Sequence, residues 1–224
     1  RMRLLFFFFF VLCIFFFFNE TATTEIYTLS LHDALPISET PLSVRGQEQA
    51  IRLAQRLNTE GITRILASDL PRAAMTAQAL SDETGVKIEF ESLLQERNFG
   101  RLRGQRFIDL EARDIDPFAE NYEPEEGETW QEFDQRVSHA WSRIQSALPA
   151  GGTLAVVTHG LVCAALLRNH LDAQAPASDI GRLFPFRNAG VTRIESSPPW
   201  RVELLNCAEH LEALGDQTST SGQV

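Results

Sequence analysis

Gly151-Gly152-Thr153-Leu154-Ala155-Val156-Val157-Thr158-His159-Gly160-Leu161-Val162-Cys163-Ala164 carries two structural signatures back to back. The glycine pair turns the chain, and Thr153–Thr158 is apolar and β-branched, the pattern of a strand covered on both faces. His159-Gly160 interrupts that run, and Leu161–Leu171 is apolar enough to be a packed helix. A buried strand passing directly into a helix is the unit of an open α/β sheet, where ligands gather at the carboxyl ends of strands. His159 stands at such an end. Gly160 beside it lets backbone approach a ligand, and the adjoining helix N-terminus favours an anion. On local features alone, a histidine that merely ends a strand is an equal alternative.

The same alternation extends in both directions. Residues 47–57 place Ala50, Leu53, Ala54 and Leu57 at helical spacing after a turn at Gly46. Thr63–Ala67 predicts a short buried strand, with Ser68 or Asp69 capping a helix that starts near Pro71 and stops at Gly85. Val86–Phe90 predicts another strand, and a helix runs from about Thr129 to Leu148. Ala189–Glu195 and Arg201–Leu205 read as late strands around the Ser196-Ser197-Pro198-Pro199 turn. The expected architecture is α/β: a three-layer α/β/α domain with a largely parallel sheet. No dinucleotide or phosphate-loop glycine pattern is present.

The 224 residues suffice for one domain with a sizeable core, and 44% hydrophobic content excludes disorder as the whole answer. Twenty basic against thirty acidic residues give a net charge of −10, which argues against nucleic acid as a partner. A small anionic ligand remains compatible, because a local basic pocket overrides the global sign. Cys13, Cys163 and Cys207 lack pairing or metal-ligand spacing and read as reduced thiols of a cytoplasmic protein. Cys163, in an apolar helix, reads as packing. Trp130, Trp141 and Trp200 read as core or rim aromatics. Between 111 and 136 lie ten acids and two arginines, a solvated excursion expected to overhang the ligand pocket.

The first 38 residues differ from the rest. Leu4–Phe18 is an unbroken apolar run of fifteen, and nine of the sixteen phenylalanines lie between Phe6 and Phe18. A membrane-spanning helix needs about 20 apolar residues, so membrane association is expected only if residues 4–18 act as a real anchor. Glu25–Ser38 resembles translated adaptor DNA, and residues 1–38 are read as a non-native segment. The domain is placed at 39–212 and a disordered tail at 213–224.

Two further residues are suited to phosphate chemistry. Arg72 falls in the first turn of a helix that follows a strand, where a guanidinium and a helix N-terminus can share an anion. An exposed helical arginine is the commoner alternative. Glu96 follows a strand in Leu94-Gln-Glu-Arg-Asn-Phe-Gly-Arg-Leu-Arg-Gly104, a loop shaped by two glycines. A carboxyl held protonated there can act as a general acid; a solvated glutamate is the bland alternative.

Pro41-Leu-Ser-Val-Arg-Gly-Gln-Glu-Gln-Ala50, Ser68-Asp-Leu-Pro-Arg-Ala73, Thr76-Ala77, Glu96 with Phe99-Gly100, Gly127-Glu-Thr129, Arg136-Val137, Val157-Thr-His-Gly160 and Asn188-Ala189 follow one another in an order and spacing. Over about residues 39–206 this resembles the histidine phosphatase superfamily, with its phosphoglycerate-mutase-like fold. The resemblance implies a phosphomonoester hydrolase working through a phosphohistidine, without metal or other cofactor, on a small phosphorylated metabolite. It implies that Arg72, His159 and Gly160 bind phosphate and that Glu96 donates the leaving-group proton.

The family's nucleophile lies in an Arg-His-Gly sequence at the end of the first strand, and that sequence is absent here. His32 is close to Pro41 and lacks the following glycine, so it is a poor substitute. The expectation is therefore a first strand that is abnormal or missing, with the apolar run as a replacement, and little or no turnover. A mutase-type phosphotransferase and a non-catalytic phospho-ligand-binding pseudophosphatase are the alternatives. Leu161-Val-Cys-Ala164, where mutases usually carry asparagine-serine-leucine-arginine, favours hydrolysis. Glu96-Arg97 and Gly100-Arg-Leu-Arg-Gly104 look mutase-like.

Overall fold

The computed structural model describes residues 10–16, 34–173 and 186–214. In chain order the elements are β1 (Phe10–Phe16), α1 (Val44–Leu57), β2 (Ile62–Ala67), α2 (Pro71–Thr84), β3 (Ile88–Phe90), α3 (Phe107–Glu111), α4 (Trp130–Ala147), β4 (Thr153–His159), α5 (Gly160–Asn169), β5 (Gly190–Glu195) and β6 (Val202–Cys207). Short 3-10 turns occupy Ser92–Leu94, Gly100–Leu102 and Glu209–Leu214.

The strands form a six-stranded sheet in the order β3-β2-β4-β1-β5-β6. β3, β2, β4 and β1 are mutually parallel, and β5 and β6 join antiparallel. The sheet is thus largely parallel, as its strand–helix alternation predicts. Every residue of β4 is buried, because helices cover both faces. Leu154 and Val156 point into one core with Leu66, Ile194 and the inner faces of α4 and α5. Ala155 and Val157 point into the other with Ile65, Ala67, Val191 and the inner faces of α1 and α2. Strand pleating divides the side chains this way. Trp130 and Trp141 lie in the α4 core, with Trp200 packed edge-on against Trp141. Cys163 is fully buried there too.

The place of the first strand, expected to be taken by the apolar run or left open, is filled by that run. β1 sits centrally between β4 and β5, built from the apolar run Phe10-Val-Leu-Cys-Ile-Phe-Phe16. A central strand flanked by helices chiefly demands apolar residues, and this segment supplies them. Its register sets Phe16 opposite His159. Among the described residues no helix is long and apolar enough to cross a membrane.

Several boundaries differ from expectation. α1 begins at Val44, not after a turn at Gly46, because the Ser43 side chain accepts the Gly46 N–H and caps the helix. Gly46 then lies in the first turn, where a Cβ would come 3.1 Å from Leu42. Neither Ser68 nor Asp69 caps α2: Leu70 is the N-cap, without a side-chain bond, and Pro71 opens the helix. Asp69 instead accepts a bond from Gln95, and Ser68 has another use described below. β3 starts only at Ile88, β4 runs on through His159, and α5 ends at Asn169. Residues 213 and 214, placed in the tail, complete the turn at Glu209–Leu214. His32 and residues 215–224 lie outside the described residues.

Candidate phosphate site

The carboxyl ends of β2 and β4 lie side by side, Ala67 paired with Val157. The chain leaves β4 at His159 straight into α5, whose first residue is the buried Gly160. It leaves β2 through Ser68 into α2, whose second residue is Arg72. The imidazole and the guanidinium are thereby delivered to one end of the sheet by strand-to-helix turns.

Arg72 is only 3% exposed. Its Nη1 donates to the carbonyls of Ile37 at 3.0 Å and Ser38 at 3.4 Å. Glu96 arrives from the loop after the Ser92–Leu94 turn, which is fastened from two directions. Thr158 Oγ1 donates to the Leu94 carbonyl at 2.7 Å. Arg136 of α4 donates to the carbonyls of Leu93 and Gln95, both at 2.8 Å, while pairing in bidentate fashion with Glu128. Glu96 itself accepts the Arg97 N–H at 3.0 Å and, on its other oxygen, the Leu161 N–H at 3.2 Å near the start of α5.

Arg72 and Glu96 line one cavity of about 220 Å³, with Pro36, Ser38, Glu39, Leu70, Gln95, Arg97, Asn98 and Arg103 forming the rest of its wall. His159 is not on that wall. It is buried, 1% exposed, and its Nε2 lies 2.8 Å from Ser68 Oγ. None of the lining residues comes from 111–136, so the acidic excursion does not build the pocket. Its acids are partly spent on their own ion pairs, Glu125 and Glu126 with Arg101 and Glu128 with Arg136.

The electrostatics suit an anion. Burial first, and then the positive charges of Arg72 and Arg136, hold the His159 pKa well below its ordinary 6.5. The imidazole is therefore neutral at pH 7. Burial raises the Glu96 pKa despite opposition from the Arg97 N–H, Arg72, the Leu161 N–H and Arg136. Burial lowers the Arg72 pKa, and Glu96 works against it. A guanidinium, a neutral imidazole and a carboxyl inclined to keep its proton are thus concentrated within one small region.

Sequence reasoning overlooked Ser68 as a partner of His159. The Ser68 hydroxyl accepts the Leu70 N–H at 3.3 Å and is free to donate its own proton to Nε2. When it does so, the imidazole carries its proton on Nδ1, a buried nitrogen with no hydrogen-bond partner among the described residues. The signal was the position of Ser68 at the end of the strand adjoining β4. Arg136 was quoted only as part of a motif; its service to the Glu96 loop depends on tertiary packing that no local pattern encodes.

Residues 36–208 match the family described as histidine phosphatase superfamily (branch 1). The chain is 31% identical over 196 residues to a probable phosphoglycerate mutase GpmB of Escherichia coli O1:K1 / APEC, covering 79% of this chain and 86% of the relative. The corresponding protein of Citrobacter koseri is 30% identical over the same shares. Among solved structures, a mycobacterial glucosyl-3-phosphoglycerate phosphatase superposes with a TM-score of 0.72 at 21% identity, over 88% of this chain and 98% of the other. A putative alpha-ribazole-5'-P phosphatase of Escherichia coli K-12 gives a TM-score of 0.73 at 23% identity, over 89% and 96%. At those identities the structural likeness speaks for the fold.

Proposed function

This chain belongs to the histidine phosphatase superfamily, and from that premise we propose that it binds phosphomonoesters in a hydrolase-type site with little or no turnover. The observation that carries this reading is the union of Arg72 and Glu96 on one small cavity, with the buried, neutral His159 within electrostatic reach of Arg72. Arg72 supplies charge-assisted hydrogen bonds to phosphate oxygens. The Nδ1–H of His159 is the neutral donor for another oxygen, held in that tautomer by Ser68. Glu96 protonates the departing alkoxide, since its raised pKa keeps a proton available to a leaving group. Transition-state charge is thus met by fixed donors that need little rearrangement.

The missing component is the attacking imidazole. The family's nucleophile ends the first strand, and here that strand ends in Phe15-Phe16, Phe16 standing in register with His159. The residues that follow, Phe17-Phe18-Asn19-Glu20, contain no histidine. Removing a nucleophile from a concerted site costs on the order of a million-fold in turnover. We also assign the protein a cytoplasmic setting, since Cys13, Cys163 and Cys207 lack the spacing of a disulfide framework or metal site.

The purified chain, assayed with p-nitrophenyl phosphate, is expected to turn over no faster than its Arg72→Gln variant. Vanadate should still bind the parent and bind that variant much more weakly. Hydrolysis at about 1 s⁻¹ or faster, abolished by Arg72→Gln, would overturn the inactive reading. A mutase-type reaction is the second reading, favoured by the mutase names of the sequence relatives. Phosphoryl exchange between the two monophosphoglycerates, measured by phosphorus NMR, distinguishes it.

A further inference from the structure

Ten acids crowd residues 111–136, and none of them lines the phosphate cavity. Glu125 and Glu126 are neutralised by Arg101, Glu128 by Arg136 and Asp134 by Arg168. Glu111, Asp114 and Asp116 differ: among the described residues none of the three forms an ion pair. The arginines nearest in sequence are committed elsewhere. Arg106 pairs with Asp109, and Arg113 donates to the Asp109 carbonyl and to the Gln105 side chain.

These three carboxylates line a second cavity, of about 330 Å³, which shares no residue with the phosphate cavity. The rest of its wall is apolar, formed by Phe107, Leu110, Ile115, Pro117 and Phe118. Leu110 is fully buried, and the rings of Phe107 and Phe118 lie tilted with their centroids 5.8 Å apart. Fixed bonds hold this wall. The Arg113 and Ile115 N–H groups both donate to the Leu110 carbonyl at 3.0 Å. Asp116 Oδ1 accepts the Phe118 N–H at 2.8 Å, and Arg97 donates to the Pro117 carbonyl at 2.9 Å. A ligand therefore has little to order on entry.

An apolar hollow rimmed by unneutralised carboxylates is complementary to a cation with an apolar body. Among the described residues no three acidic or other ligating side chains are grouped to hold a metal ion, so the rim suits an organic cation. A second copy of this chain, itself of net charge −10, is repelled from such a rim. The volume lies at the low end for small-molecule sites, and phenyl rings attract both an aromatic body and an ammonium group.

We propose that this cavity binds arylalkylammonium ions, the ring packing on Phe107 and Phe118 and the ammonium lying among Glu111, Asp114 and Asp116. Amide NMR titrations at low salt with phenethylammonium, phenethyl alcohol and hydrocinnamate test it, since the three share a phenyl body and differ in charge. The ammonium should shift the amides of residues 107–118 saturably and bind about tenfold more tightly than the alcohol, the factor a charge-assisted hydrogen bond supplies. Hydrocinnamate should leave those amides unmoved, and added salt should narrow the preference for the cation. Glu111→Gln combined with Asp114→Asn should erase that preference and leave the alcohol within about twofold of the parent. Asparagine tolerates the left-handed backbone of Asp114, at φ +55°. Glu123→Gln combined with Glu203→Gln, which removes two exposed charges outside the cavity, should keep the preference.

Equal affinities for the ammonium and the alcohol overturn the cationic ligand class, as does saturable binding of hydrocinnamate. Shifts centred outside residues 107–118, or no saturable binding of the ammonium, overturn the cavity as its site. Loss of the preference in the Glu123→Gln, Glu203→Gln protein would reduce the effect to net charge and also overturn it. The phosphate reading is independent of all these outcomes, since vanadate binding through Arg72 tests it separately.

Discussion

Ser68 and His159 show how a single hydroxyl can decide the chemistry of a buried ring. When Nε2 receives the serine proton, His159 presents an N–H donor on Nδ1, and burial keeps the ring neutral in a region already carrying Arg72 and Arg136. Ser68→Ala should weaken vanadate binding by about tenfold, because the ring loses the bond that fixes its tautomer. Ser68→Thr, retaining the hydroxyl, should restore most of it. The same ring makes the fold acid-sensitive. Its folded pKa is depressed below the unfolded 6.5, so the unfolded chain takes up the proton first. The stabilisation is complete above pH 6.5 and is lost progressively as pH falls below it. His170, lowered by burial, and His210, lowered to about 4, act in the same direction. Glu96 acts oppositely: its raised pKa favours folding below about 4.5 and loses that advantage as pH rises through its folded value. Between pH 7 and 5 the three histidines should prevail, lowering the Tm by at least about 3 °C. His159→Gln should flatten that slope, and a Tm that rises toward pH 5 would refute the assignment. Arg72 and Glu96 were legible in the sequence because each begins or follows a recognisable element. The role of Ser68 was not, since a serine after a strand suits a helix cap equally well.

The elements that carry the site differ in how firmly their own residues specify them. β4 and α5 were legible because an apolar β-branched run and an apolar helical run meet at a histidine-glycine break. α4 was legible to within a residue, and its capping box between Thr129 and Glu132 explains why it starts where it does. The Glu96 loop follows a different logic, with no periodicity of its own and a shape imposed by contacts from elsewhere. Gly100 adopts φ +55°, and a Cβ there would meet the Glu125 carbonyl at 2.0 Å. Gly100→Ala should therefore cost about 3 kcal/mol or more, through strain and displacement of the 124–127 backbone, measurable by urea denaturation. Arg136→Ala removes the clamp on Leu93 and Gln95 and strands Glu128, a pair whose side chains are 20% and 14% exposed. Breaking so sheltered a pair should cost about 3 kcal/mol. Faster amide hydrogen exchange at residues 93–98, with α1 and α2 unchanged, would locate the effect in this loop rather than in the domain as a whole.

At the scale of the whole molecule, β1 fills the central place in the sheet, between β4 and β5. A central strand must present apolar side chains and pair on both edges, and Phe10–Phe16 meets both demands, parallel to β4 and antiparallel to β5. Nothing in those demands requires a histidine, so on the proposed reading folding and catalysis separate here. The register offers a direct way to reunite them. Phe16 pairs with His159, each standing at the carboxyl end of its strand. A Phe16→His substitution therefore brings a second imidazole to the end of the sheet that carries Arg72 and Glu96. Incubated with p-nitrophenyl phosphate, this variant should acquire an acid-labile phosphoryl group, visible in the intact mass, and hydrolyse the ester at least about a hundredfold faster than the parent, part of what a lost nucleophile costs. Adding Arg72→Gln should abolish both signals. A Phe16→His protein that melts like the parent and binds vanadate, yet neither phosphorylates nor turns over, would show that the end of β1 is not the nucleophile's position in this chain.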